Sequence, residues 1–175
     1  MTGSMSFRNA AAELGVATSV IQRLVKTGLL SSSMATIDPK LVETLRLRGP
    51  LTFTDEPVRV QIVSLGSPRR LTDDERDIDG AWREWVGFHA SWLPERIADA
   101  ARGWWWHPNP LPDLLVATAP GGFVVAVYVV TGIESEMPGK LIRYRVVQSL
   151  DVERYALATR LQSQRGPTAK VIDFL

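Results

Sequence analysis

Along the first fifty residues the apolar positions recur at helical spacing, and after them the pattern changes. Residues 7–13 form a short alanine-rich stretch that Gly15 interrupts. Over 17–27, Val20, Ile21, Leu24 and Val25 fall on one face of a helix that Gly28 stops. After the polar stretch 31–37, Asp38-Pro39 reads as a capping residue followed by proline at the first helical position. Leu41, Val42 and Leu45 then supply the apolar stripe of a third helix. Gly49-Pro50 ends the helical pattern and Pro57 precedes a strand-like run. This places a boundary, with a helical unit over 1–49, a linker over 50–57 and a second domain over 58–175.

Beyond the boundary, 58–65 alternates as a strand does. Residues 66–80 are polar and acidic and read as a loop. Residues 82–102 are mostly helical in period, with Pro94 near the start of a second helix. The β-rich runs 114–118 and 123–130 are joined by Ala119-Pro120-Gly121-Gly122, a hairpin signal. Residues 141–150 read as another strand, Asp151 as the cap of a helix running to about 164, and 170–174 as a closing strand. The expected fold class is α+β. Trp82, Trp85 and Trp92 stand at near-helical spacing and, with Tyr128, are expected in the core.

Composition changes this picture little. Of 175 residues, 45% are hydrophobic and 22% charged, an ordinary globular balance. The net charge of +1 does not advertise nucleic acid, but its distribution is uneven. Residues 1–48 carry six Lys/Arg against three Asp/Glu, whereas 58–175 carry fourteen of each sign. Any electrostatic footprint for phosphate therefore belongs to the N-terminal part. The absence of cysteine excludes disulfides, thiolate nucleophiles and cysteine-ligated metals, and His89 and His107 are too few for a histidine zinc cluster. The longest apolar run, 122–130, is far short of a membrane span, and no secretory leader pattern opens the chain. A cytoplasmic location without a membrane partner is expected.

The most specific signal lies over 8–30. Two short helices that cross closely need small residues at their contact, here Ala11 and Ala12. The tight turn needs a residue that tolerates positive φ, here Gly15, and Leu14 and Val16 seal the corner. Val20, Leu24 and Val25 anchor the second helix to the first, which frees its other face for the major groove. That face carries Thr18, Ser19, Gln22, Arg23 and Lys26, all suited to base edges or phosphates and none acidic. Residues 6–48 resemble the helix-turn-helix of excisionase-like and MerR-like DNA-binding domains, following AAxxLGVsxxtVxRLvkxGlL nearly residue by residue. The resemblance implies double-stranded DNA as partner. Those families place a β-wing after the second helix, and 31–37 has room for a stunted wing at most.

In the second domain all six tryptophans fall between positions 82 and 106. Trp104, Trp105 and Trp106 are consecutive, so neither a helix nor a strand can turn all three into a core. At least one is expected at the surface or in a cleft, where its face can stack on a base. Ala101-Arg102-Gly103-Trp104, the run 114–117, the run 122–128 and Arg143-Tyr144-Arg145-Val146 resemble a PUA-like small β-barrel of the group that includes EVE and ASCH domains. This implies a barrel-like domain with a pocket for a base, modified base or other ligand, with Arg102 and the three tryptophans as candidate contacts. Asp99 is an alternative, structural partner for Arg102. The acidic group Asp73, Asp74, Glu75, Asp77 and Asp79 is the sole candidate for Mg²⁺, but carboxylates on a loop are more often solvated surface. No metal, cofactor or catalytic residue is assigned, and His107, among prolines, is taken as a loop residue.

These readings converge on a non-enzymatic DNA-binding protein, a transcriptional regulator. A lone helix-turn-helix makes few contacts, so a homodimer or a second DNA contact is expected. The alternatives are a nucleic-acid-processing or defence component, either a modified-DNA reader or a nuclease, and a protein-interaction adaptor.

Overall fold

The computed structural model describes residues 4–53, 57–80, 82–149, 157–161 and 169–174. It is an α+β fold in which short helices flank a mixed sheet.

The N-terminal part opens with strand β1 (Met5–Ser6), whose Ser6 caps helix α1 (Phe7–Leu14) by accepting from the Asn9 N–H. Gly15, at φ 61°, ends α1 in the left-handed conformation. The Val16 N–H reaches the Ala11 carbonyl at 3.0 Å and the Gly15 N–H that of Ala12 at 3.2 Å, so the last carbonyls of α1 are satisfied inside the turn. Helix α2 (Thr18–Lys26) follows two residues later. Strands β2 (Ser32–Ser33) and β3 (Thr36–Ile37) form a hairpin, and β1 adds to it in the order β1-β3-β2. Both turn residues, Met34 and Ala35, hold positive φ, the conformation a two-residue hairpin loop requires. Helix α3 (Pro39–Arg46) starts at the Asp38 cap, with proline in its first turn. Ala10, Ala11, Leu14, Ile21, Leu24, Leu30, Ile37, Val42 and Leu45 are buried together.

At the expected boundary, β4 (Gly49–Pro50) leads to β5 (Val58–Ser64), and residues 54–56 of the expected linker lie outside the described residues. Then come β6 (Arg69–Arg70), helix α4 (Asp73–Ile78), β7 (Trp85–Val86), helix α5 (Pro94–Ala101), β8 (Trp105–Trp106), β9 (Leu114–Ala119), β10 (Phe123–Met137), β11 (Leu141–Gln148), β12 (Thr159–Arg160) and β13 (Ala169–Phe174). The main sheet runs β13-β5-β9-β10-β11-β8, with β12 on β10 and β4 alongside β12. Its β5–β9 pair is parallel and the other neighbours along that path are antiparallel. The hairpin expected over 119–122 joins β9 to β10. Glycine is required at 122: φ is +81°, and a Cβ there would stand 2.4 Å from the Leu161 carbonyl oxygen.

Alternation along β5, β9 and β10 divides the apolar side chains between two faces. Val63, Leu115, Ala117, Phe123, Val125 and Tyr128 join the helical segment and α5 in one cluster. Val60, Ile62, Leu114, Val116, Val124 and Val127 turn the other way, against Leu51, Leu161 and the partly buried Phe53 and Phe174. Tyr128 is buried, as expected. The helical segment is therefore fastened to the sheet. Arg160 donates to the Leu14 carbonyl at 2.7 Å and to that of Gly121 at 2.9 Å, Arg48 donates to the Val124 carbonyl at 2.8 Å, and the Ala90 N–H donates to Thr27 at 2.8 Å. Burial lowers the pKa of both guanidinium groups from the usual arginine value.

Four expectations require correction. Among the described residues the sheet does not close into a barrel: β13 and β8 are its two ends. Residues 66–80 contain α4, whose lack of any buried residue leaves no apolar stripe to read. Only residues 94–101 of the stretch 82–102 are α-helical, and Trp82, Trp85 and Trp92 are half-buried rather than core. The helix expected over 151–164 is overruled by strand β12 at Thr159–Arg160; residues 151–156 and 162–164 lie outside the described residues. Among the described residues, no helix is long and apolar enough to cross a membrane.

Candidate functional site

Two surfaces carry the residues singled out from the sequence. The first is the outer face of α2. Ile21 and Leu24 are fully buried against α1, and the helical period turns Thr18, Ser19, Gln22, Arg23 and Lys26 outward over an arc of about 140°. All five side chains are exposed. Arg23 and Lys26 make no ion pair with the described residues, in contrast to Arg46 of α3, which Glu43 holds at 2.7 Å. Both cations lie in the last turns of α2, where the helix dipole favours positive charge. Ala17 gives the start of α2 no side-chain cap. Residues 31–35, which include β2 and the hairpin tip, are exposed throughout, with Met34 98% exposed.

The second surface lies where the sequence is richest in tryptophan, and here the candidates divide. Arg102 donates to Asp99 and to Glu134, each at 2.8 Å, and its guanidinium lies 5.2 Å from the centre of the Trp82 ring. Arg143 shares Glu134 at 3.0 Å and lies 4.5 Å from the same ring. Arg83 lies 4.7 Å from it and pairs with Asp79 at 2.7 Å. Arg102 is thus one of three neutralised cations packed around Trp82. Trp85 and Trp92 meet edge to face at 5.9 Å, with Arg96 close to both rings.

Trp104, Trp105 and Trp106 instead line a groove of about 470 Å³, together with Gln61, His107, Leu141 and Lys170. The groove lies between β8 and β13, the two ends of the sheet. Trp105 is fixed by its indole N–H, which donates to the Ala101 carbonyl at 2.8 Å. Trp106 is 73% exposed, and the indole nitrogen of Trp104 is buried without a partner among the described residues. Gln61, only 3% exposed, accepts the Tyr144 hydroxyl through Oε1. Burial raises the pKa of that phenol far above its usual value, so Tyr144 remains a proton donor.

Sequence reasoning missed Gln61 and Lys170 as groove residues, and Tyr144 as the buried partner of Gln61. Gln61 follows Arg59 on the polar phase of an alternating strand, which reads as solvent-facing. A glutamine two residues from Val63, which is fully buried on that same face, was the available signal. The acidic group 73–79 has local partners: Glu75 closes a capping box with Thr72 and binds Arg69 at 2.7 Å, and Asp79 holds Arg83. The Arg69 and Thr72 contacts pull the Glu75 carboxyl down to about 2. Among the described residues, no group of three His, Asp or Glu side chains is arranged to hold a metal ion.

No protein-family model matches the chain, and comparison with curated proteins and with solved structures gave no match.

Proposed function

We propose that this protein binds duplex DNA through the outer face of α2 and acts as a transcriptional regulator, with the tryptophan-rich region engaging a second feature. The observation that carries the reading is the unpaired, acid-free face of Thr18, Ser19, Gln22, Arg23 and Lys26 on a helix docked by α1 and a tight glycine turn. Gln22 and Arg23 have the donor and acceptor geometry for adenine and guanine edges, and Lys26 suits a phosphate. The exposed β2–β3 hairpin occupies the chain position of a short wing. One such module makes few contacts, so a homodimer or a second contact by the same chain supplies the remaining affinity.

Selection of the full-length protein on a random duplex library tests this reading. Enrichment of one sequence is expected, with two spaced half-sites if a dimer binds. Recovery of no duplex even at low salt, where phosphate attraction is strongest, would remove DNA from the account.

A further inference from the structure

We infer that the groove between β8 and β13 is a binding site for a flat heterocycle that carries a ring hydrogen-bond acceptor and an anionic group, the chemistry of a nucleotide. The inference rests on the second-feature part of the reading above and names its ligand class.

The groove is built for polarity at its base and stacking at its wall. Gln61 is almost entirely buried, yet lines it. Because the Tyr144 hydroxyl occupies Oε1, the orientation of the amide is set and its N–H donors have no partner among the described residues. Facing the groove, that N–H can donate to a ligand acceptor, either a carbonyl oxygen or a ring nitrogen. Trp106 offers an exposed ring beside it, and stacking needs only a flat partner. At the same groove stands Lys170, which makes no ion pair with the described residues, and no carboxylate lines the space. The volume of about 470 Å³ lies within the ordinary range for small-ligand sites.

The lining excludes a purely apolar occupant, which would leave the Gln61 amide unanswered. It also excludes a heterocycle offering only donors at that point. A base held in a nucleic-acid strand and a free mononucleotide share the required chemistry, and the experiment separates them.

Titration calorimetry of the full-length protein with uridine 5′-monophosphate, adenosine 5′-monophosphate and an eight-residue oligothymidylate tests the inference. Saturable binding of uridine monophosphate or of the oligonucleotide is expected, and whichever binds more tightly per site identifies the source. Trp106→Ala and Lys170→Ala, both at solvent-accessible positions, should each weaken that binding at least about fivefold, the lower end of a lost stacking contact. Adenosine monophosphate, whose ring nitrogens also accept an N–H, should bind saturably as well. The double variant Arg23→Ala/Lys26→Ala should retain nucleotide binding while losing duplex affinity, so failure of the groove and failure of α2 are read separately. The inference is overturned by absence of saturable binding at millimolar concentration, or by affinity unchanged in both groove variants.

Discussion

The cations of α2 and those around Trp82 are the same kind of residue placed in opposite circumstances. Arg23 and Lys26 stand exposed, with no acid among the described residues to hold them. Arg83, Arg102 and Arg143 stand against one indole ring, and Asp79, Asp99 and Glu134 neutralise them. What differs is availability rather than number. A guanidinium already held by carboxylates gains little from a phosphate, because the phosphate must replace partners it has. A free one gains the whole contact and releases counterions from the nucleic acid. By this criterion the α2 face keeps its cations available for the proposed contact, whereas the arginines of the second region act as internal ties.

The comparison breaks most sharply on paired variants. Arg23→Ala/Lys26→Ala should lower duplex affinity about a hundredfold, read by fluorescence anisotropy, because two unshared contacts are lost. Its melting temperature should stay close to that of the parent, since neither side chain packs inward. Arg143→Ala should do the reverse. It should leave duplex affinity unchanged and cost about 1–2 kcal/mol in chemical denaturation, through the lost Glu134 pair and the contact on Trp82. Equal losses of affinity in both variants would erase the distinction.

A smaller effect sharpens the picture at α4. Glu75 titrates near 2 when folded, against an ordinary value of 4.5, because Arg69 and Thr72 stabilise its charged form. A depressed carboxylate contributes stability above its unfolded pKa and loses it as the pH falls through the folded one. The capping contact should therefore weaken between about pH 4.5 and 2, with α4 amide signals shifting at the low end of that window, near 2. Glu75→Gln should remove most of that acid-range shift without touching duplex binding. A shift centred near 4.5 in the parent would show that the cap does not hold its carboxylate.

How much of this was legible in the sequence depended on how local the cause was. Helices α1, α2 and α3 are set by residues within a few positions of one another: the buried stripe Ile21–Leu24, Gly15 at positive φ, and Asp38-Pro39 as cap and first turn. The β9–β10 hairpin was legible for the same reason. The near-helical spacing of Trp82, Trp85 and Trp92 misled because tertiary contacts decide their places. Trp82 serves as a platform for arginines from three parts of the chain, and Trp85 belongs to a two-residue strand. Helix α4 was hidden by its lack of an apolar stripe, its one apolar residue, Ile78, being exposed, although Thr72-x-x-Glu75 spelled its capping box. The exposure of the α2 face could be read in advance. The groove could not, because it joins Gln61, the tryptophan triplet and Lys170 from strands far apart in the chain.

The central claim is that unpaired charge on α2 binds duplex DNA, and its most direct test is the salt dependence of binding. Anisotropy of the full-length protein on a mixed-sequence duplex should give affinity that falls steeply from 50 to 200 mM salt. In Arg23→Ala/Lys26→Ala the logarithmic slope should be smaller by roughly two, one unit for each lost phosphate contact. An unchanged slope in that variant, or no binding by the parent at 50 mM salt, would contradict the account.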